Sequence, residues 1–253
     1  LFSFARNVDV VTYEFENIGI NALEEIDQIV DIRPSINALK ISQDRYTEKS
    51  YLNSLGIKTT QFYRIDEISD IENLLIKLKK PMLIKTRRLG YDGKGQVLIK
   101  SQDDINEYFL RKELTPSIAE EVISFDRELS VIIVRDKEGN IKTFEPGENV
   151  HENGILVTTT LPSSTSEALK NDATIIAKKI VGDLGYIGVM GVEFFLKKHE
   201  LYANEIAPRV HNSGHWTMDG SYSSQFQQHI RAIMDLPLLS TARHSDIVMY
   251  NLI

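Results

Sequence analysis

The chain has 253 residues, 42% of them hydrophobic and 26% charged, with a formal net charge of −7. That length holds two or three cores, and mild acidity speaks against nucleic acid or an anionic membrane as the main partner. There is no cysteine, which excludes a disulfide framework, a thiolate metal site and a cysteine nucleophile, and no apolar run reaches the length of a membrane span.

Residues 8–13 predict a short, nearly continuous apolar strand, as expected in a parallel sheet covered on both faces. Glu14 and Glu16 follow at its C-terminal end, where open α/β sheets bind ligands. On pattern alone a solvated loop accounts for them better. Residues 36–55 carry helical signals. Ser42 is a good N-cap, Ile41 and Tyr46 suit a hydrophobic staple, and Gly56 suits the position after the helix. Arg45 then lies in the first turn, where a cation opposes the helix dipole unless an anion or an ion pair receives it. Ile68, Ile71, Leu75 and Leu78 predict an amphipathic helix stopped by Pro81.

Strands are expected at 82–85 and 96–100, with Gly90-Tyr91-Asp92-Gly93-Lys94-Gly95-Gln96 between them. Glycines at these positions permit close backbone approach, and exposed amides in such a loop can cradle phosphate. Lys85, Arg87, Arg88 and Lys94 surround it. The loop has neither the Walker pattern nor the dinucleotide fingerprint, because a strand follows rather than a helix. It reads as a flap on a hairpin, against the plainer alternative of a flexible β-turn. Ser101 and Asp104 form a capping box opening a helix through Phe109. Strands at 118–123 and 129–134 follow, with a turn at 136–140. At the join, Glu120, Glu121, Val122 and Ile123 could offer groups to an adenine edge, and Glu128 could accept from ribose hydroxyls.

Residues 158–166 are rich in Thr and Ser and predict a mobile loop. Leu169, Ala173, Ile176, Ile180 and Leu184 make one apolar helical stripe. Then come two strand-like runs carrying Glu193 and Glu205, joined by Lys197-Lys198-His199-Glu200. If the connection has an odd number of residues, the two glutamates stand directly opposite, Cβ atoms about 4.5–5.5 Å apart. Gly191, Phe195, Ala203 and Ala207 would share their face. Like charges so placed are destabilising, and Mg²⁺ takes one or two carboxylates plus substrate phosphates. Solvated surface glutamates are the alternative. Pro208 to Trp216 adds Arg209, His211, Asn212, Ser213 and His215. Arg209 could stabilise charge on a transferring phosphoryl group. Zinc on His211 and His215 is the rival, opposed by Gly214 and Pro208. A last helix is expected over 226–234. Strand-like runs lie close to both ends of the chain, so both termini are expected to continue.

Taken together, these stretches resemble the ATP-grasp superfamily, and within it the bacterial N5-carboxyaminoimidazole ribonucleotide synthases. The resemblance rests on Val11–Asn17, Gln43–Lys49, Lys85–Arg88, Gly90–Gln96, Glu148–His151 and Asn204–Arg209 through Trp216. It implies an α/β fold with α+β lobes and a partial Rossmann-like pre-ATP-grasp domain. Residues 1–35 would end that domain, 36–80 would be a helical connection, 81–123 the small lobe with the flap, 124–236 the large lobe with the metal site, and 237–253 the start of a C-terminal domain. ATP would be held by Arg45, Lys85, Gly90–Gln96, Glu120–Ile123, Glu128, His151, Asn204 and Glu205. Glu193 and Glu205 would bind Mg²⁺. Arg209, His211, Asn212 and Ser213 would face bicarbonate or aminoimidazole ribonucleotide, with Glu14 and Glu16 bordering that pocket. Arg209 and Lys85 would be the catalytic residues. The implied reaction is ATP-driven carboxylation through carboxyphosphate, by a cytoplasmic homodimer of purine biosynthesis with no nucleic-acid or membrane partner. A formate-using glycinamide ribonucleotide transformylase and a non-catalytic nucleotide scaffold are the alternatives. Where many ATP-grasp enzymes carry a further metal-ligating Asn, this chain has Ala207, and Val210 replaces a usual Pro.

Overall fold

The computed structural model describes residues 1–90, 94–110 and 113–252. Helix α1 (Phe2–Ala5) is a single turn, and α2 (Ile20–Asp27) buries Leu23 and Ile26. Between them the expected strand contracts to one parallel bridge, Val11 with Ile32. Strand-forming residues still need a partner to pair with. Here residues 31–33 supply two backbone bonds, from Val11 N–H to Asp31 and from Arg33 N–H to Val11, both 2.9 Å.

The helical stretch divides into α3 (Ile36–Ser42) and α4 (Arg45–Ser54). Asp44, not Ser42, caps α4, accepting the N–H groups of Tyr46 and Thr47 at 3.0 and 3.1 Å. An aspartate competes for backbone donors better than the continuing helix does, so the chain breaks there. Arg45 opens α4 as expected, and Gly56 follows it at φ +71°.

The next elements are β1 (Phe62–Ile65), α5 (Ile68–Leu78), β2 (Met82–Thr86), β3 (Gln96–Ile99), α6 (Gln102–Phe109) and β4 (Ser117–Glu121). They build an antiparallel sheet in the order β1-β4-β2-β3. β1 comes from the stretch read as helical connection. Ile71 of α5 and Ile105 of α6 pack on Ile65, Met82, Ile84, Ile99 and Ala119. The Ser101–Asp104 capping box is present. Val122 and Ile123 lie past the end of β4.

A larger antiparallel sheet follows. It holds β5 (Arg127–Arg135), β6 (Ile141–Thr143), β7 (Gly147–Glu152) and β8 (Ile155–Leu161); after α7 (Glu167–Asp183) come β9 (Gly188–Lys197) and β10 (Glu200–Ala207). Two helices, α8 (Thr217–Gly220) and α9 (Gln225–Ile233), precede β11 (Ile247–Tyr250). The order is β10-β9-β5-β7-β8-β11, with β6 pairing to β5. Of the stretch expected as a mobile loop, Thr158, Thr159 and Thr160 are instead in β8. Their branched Cβ atoms suit a pleated surface, and buried Thr159 donates to Asn149 Oδ1 at 2.9 Å.

Alternation along β5 divides the sheet's two faces. Leu129, Val131 and Ile133 pack with Ala173, Ala177 and Ile180 of α7 and Leu52 of α4. Ile132 and Val134 pack on the opposite face with Trp216 and Ala232 of α9. Further along that second face the apolar residues give way to Glu128 and Ser130, opposite Phe195 and Glu193 of β9. The site forms there.

Candidate active site

Glu193 and Glu205 stand directly across from each other in the β9–β10 pair, as the expected register requires. The route to that register differs from the expectation. The turn between Lys197 and Glu200 has two residues, Lys198 (φ +58°) and His199, an even number. Pairing runs regularly from Glu200↔Lys197 to Ala203↔Phe194, then slips at Asn204 and resumes at Glu205↔Glu193. The bulge restores what the turn would have lost. One consequence is that Ala203 leaves the glutamate face and joins Phe194 in the core beneath α7, while Tyr202 lies opposite Phe195.

A cleft of about 320 Å³ opens between the two sheets over this pair. From the large sheet it is lined by Glu128, His151, Glu193, Asn204 and Glu205, and from the small one by Lys85, Gly90 and Gln96, with Arg45 at the start of α4. Arg45 reaches Glu205 at 3.4 Å and the Gly90 carbonyl at 2.9 Å. His151 Nδ1 lies 2.8 Å from Glu128, and its Nε2 3.9 Å from Glu193. Glu120 lies beneath the cleft, 3% exposed. It pairs with Lys85 at 3.1 Å and Lys49 at 3.4 Å, and accepts from Thr60 at 2.8 Å. Tyr91, Asp92 and Gly93 lie outside the described residues, Lys94 precedes β3, and Gly95 packs at φ +74° against Thr86. Glu121 pairs with Lys80 outside the cleft.

The far end of the cleft is lined by Glu16, Arg209, His211 and Asn212. Arg209 Nε donates to Glu16 at 3.2 Å and its NH1 to the Val210 carbonyl at 2.9 Å. Gln225 grips His211 by both backbone groups, at 2.9 and 2.7 Å, while Ser213 lies 2.8 Å from the ring Nδ1. Gly191 allows that ring its place, since a Cβ there would stand 2.7 Å from His211 Cβ. Glu14 is exposed and away from the cleft lining, and Ser213 is buried behind it against the His211 ring.

The electrostatics set the two glutamates apart. Burial, then the charge of Glu205, pushes Glu193 up to about 7. Glu205 is also desolvated, but Arg45 and Lys85 hold it below the ordinary carboxylate range. Burial, then Arg209, pushes His211 down to about 4 and keeps it neutral. Burial opposes the ionisation of Glu120, yet Lys85 and Lys49 lower it to about 2. Ligand atoms of Glu193, Glu205 and His211 lie within 4.8 Å of one another, the one such group among the described residues. A cation there would offset the burial and the repulsion that raise Glu193. Two carboxylates with phosphate oxygens form a hard donor set, which fits Mg²⁺. Among the described residues His215 joins no such group of three; its ring stacks on Phe226.

Glu48 and Lys49 lie within the Gln43–Lys49 stretch, but the pattern there assigns neither a role. Each is almost fully buried. The available signal was Glu48, four residues before Leu52 on the buried face of α4.

Residues 50–226 match the ATP-grasp domain model and residues 1–43 the ribonucleotide synthetase preATP-grasp domain model. The chain is 46% identical over 256 aligned positions to the N5-carboxyaminoimidazole ribonucleotide synthase of Brucella melitensis, covering 100% of this chain and 71% of that protein. The crystal structure of N5-carboxyaminoimidazole ribonucleotide synthetase from Thermus thermophilus superposes with a TM-score of 0.92 at 39% identity, over 99% of this chain and 68% of that one. The Aspergillus clavatus synthase, in complex with ADP and 5-aminoimidazole ribonucleotide, superposes with a TM-score of 0.90 at 33% identity, over 98% of this chain and 66% of that one.

Proposed function

The chain belongs to the N5-carboxyaminoimidazole ribonucleotide synthases, ATP-dependent ligases of purine biosynthesis, and from that membership we propose how its own residues carry out the reaction. ATP lies between the two sheets. Its adenine edge meets the Glu120–Ile123 segment, its ribose meets Glu128, and its phosphates meet Lys85, Arg45, His151, Asn204 and the Gly90–Gln96 flap. Glu193 and Glu205 would hold Mg²⁺, which would supply neutralisation of phosphate charge. The single observation supporting this is the glutamate pair, opposed across a bulged hairpin and facing the cleft.

Bicarbonate oxygen attacks the γ-phosphorus, the bond to the ADP oxygen breaks, and carboxyphosphate and ADP result. Such a transfer depends mainly on positioning and charge neutralisation. Arg209, oriented by Glu16, stabilises the carboxyphosphate. His211, held neutral, offers a hydrogen bond without adding charge, and Asn212 completes the acceptor end. The exocyclic amine of aminoimidazole ribonucleotide then takes the carboxyl group, releasing phosphate. Water must be kept from carboxyphosphate, a task that suits the flap. The proposed setting is the cytoplasm, with the protein a homodimer; among the described residues no helix is long and apolar enough to cross a membrane.

Phosphate release from ATP tests this reading. We expect turnover with bicarbonate and aminoimidazole ribonucleotide and none with formate and glycinamide ribonucleotide. Turnover with only the latter pair would replace the assignment.

A further inference from the structure

The two-residue turn at Lys198–His199 sets a register in which Glu205 would pair with Val192 and face the apolar core under α7. The bulge at Asn204 prevents this. A bulge leaves its extra residue out of the ladder, and β10 is also the edge strand of its sheet. The outward backbone groups around Glu205 therefore need partners from elsewhere.

Two consecutive side chains of α4 provide them. Glu48 Oε1 accepts the Ile206 N–H at 2.7 Å, and Lys49 Nζ donates to the Asn204 carbonyl at 3.2 Å. One contact lies on each side of Glu205. Just before them, Ala203 N–H donates to the Lys58 carbonyl at 2.8 Å. Glu48 is 2% exposed and Lys49 1%. Burying charge is costly unless it is paired and hydrogen-bonded. Lys49 meets Glu120 at 3.4 Å, and the Glu48 carboxyl accepts the Ile206 amide. A buried carboxyl and a buried ammonium are a costly way to cover a strand edge, unless the backbone geometry at that edge matters.

We propose that Glu48 and Lys49 are positioning residues that clamp the β10 bulge and thereby aim the Glu205 carboxylate at Glu193. This deepens the proposed function and rests on Glu205 being a metal carboxylate. The clamp is built into the metal-free protein, so it is visible without turnover.

The test compares wild type, Glu48→Leu and Glu48→Gln by amide exchange at Ile206 in the metal-free protein and by Mn²⁺ binding in the presence of ADP. Glu48→Leu should expose the Ile206 amide to exchange and weaken Mn²⁺ binding by about 10–100-fold, as loss of an outer-shell partner does. Glu48→Gln, whose side-chain carbonyl still accepts that amide, should stay close to wild type in both readouts. If Glu48→Leu does not fold, Lys49→Met, which loses the Asn204 contact, carries the same test. A folded Glu48→Leu or Lys49→Met protein with wild-type Mn²⁺ affinity would overturn the clamp. Glu205→Gln separates the two ideas. If it abolishes Mn²⁺ binding while the α4 variants do not, the clamp alone fails. If it leaves Mn²⁺ binding intact, the metal reading fails, and the clamp with it.

Discussion

Glu193 shows the conflict between stability and function most sharply. Its side chain is 13% exposed and faces another carboxylate, and burial with that charge raises it to about 7. The sign follows from linkage. A carboxyl whose folded pKa exceeds its unfolded value contributes stability at low pH and loses it as pH rises toward and through the folded value. Between pH 4.5 and 7 this group therefore costs the metal-free protein stability, on the order of 3 kcal/mol. Glu193→Gln should be more stable than wild type at pH 8 and close to it at pH 4.5, by urea denaturation without metal or nucleotide. Its ATP turnover should fall by about 10²–10³-fold, the usual scale for losing one electrostatic contact to the transition state. Equal stability at pH 8 would show that the two carboxylates do not repel as described.

At the scale of elements, α9 and the start of β9 are joined by His229. Its Nδ1 accepts the Val189 N–H at 3.1 Å, and its Nε2 lies 3.0 Å from Thr12 Oγ1. Burial lowers this ring to about 4. A histidine depressed in the fold keeps its full contribution above its unfolded pKa and loses it as pH falls through the folded one. Protonation at Nδ1 would also remove the acceptor for Val189. Between pH 6.5 and 4 the joint should lose on the order of 3 kcal/mol. His229→Gln, which keeps an acceptor and a donor, should lack this loss, so its Tm should fall less than wild type between pH 7 and pH 4.5. Parallel Tm curves would contradict it. In β9, Gly191→Ala would force a Cβ to within 2.7 Å of His211, which Gln225 holds by both backbone groups. A cost of about 1–3 kcal/mol is expected, with turnover lost at temperatures where the protein stays folded.

Much of this was legible locally. The α5 and α7 stripes, the α6 capping box and the two glutamate strands follow from period and caps. The bulge at Asn204 was not, because it answers to Glu48 and Lys49, far away in sequence. For the same reason β8 looked like a loop: its threonines become a strand only between β7 and β11.

At the scale of the whole molecule, two antiparallel sheets meet over one cleft, joined beneath it by Lys49, which meets Glu120 of the small sheet and the Asn204 carbonyl of the large one. The motifs pointed to this arrangement only in combination, since the glycine loop or the glutamate pair alone suits many proteins. The packing between sheets, which places Arg45 against both Glu205 and Gly90, lay beyond local pattern. The claim that unites these parts is that the cleft phosphorylates bicarbonate. Turnover with ¹⁸O-labelled bicarbonate, ATP and aminoimidazole ribonucleotide tests it most directly. The account predicts ¹⁸O in the released inorganic phosphate, carried by the bicarbonate oxygen that attacked phosphorus. Carboxylated product formed alongside phosphate free of ¹⁸O would contradict it.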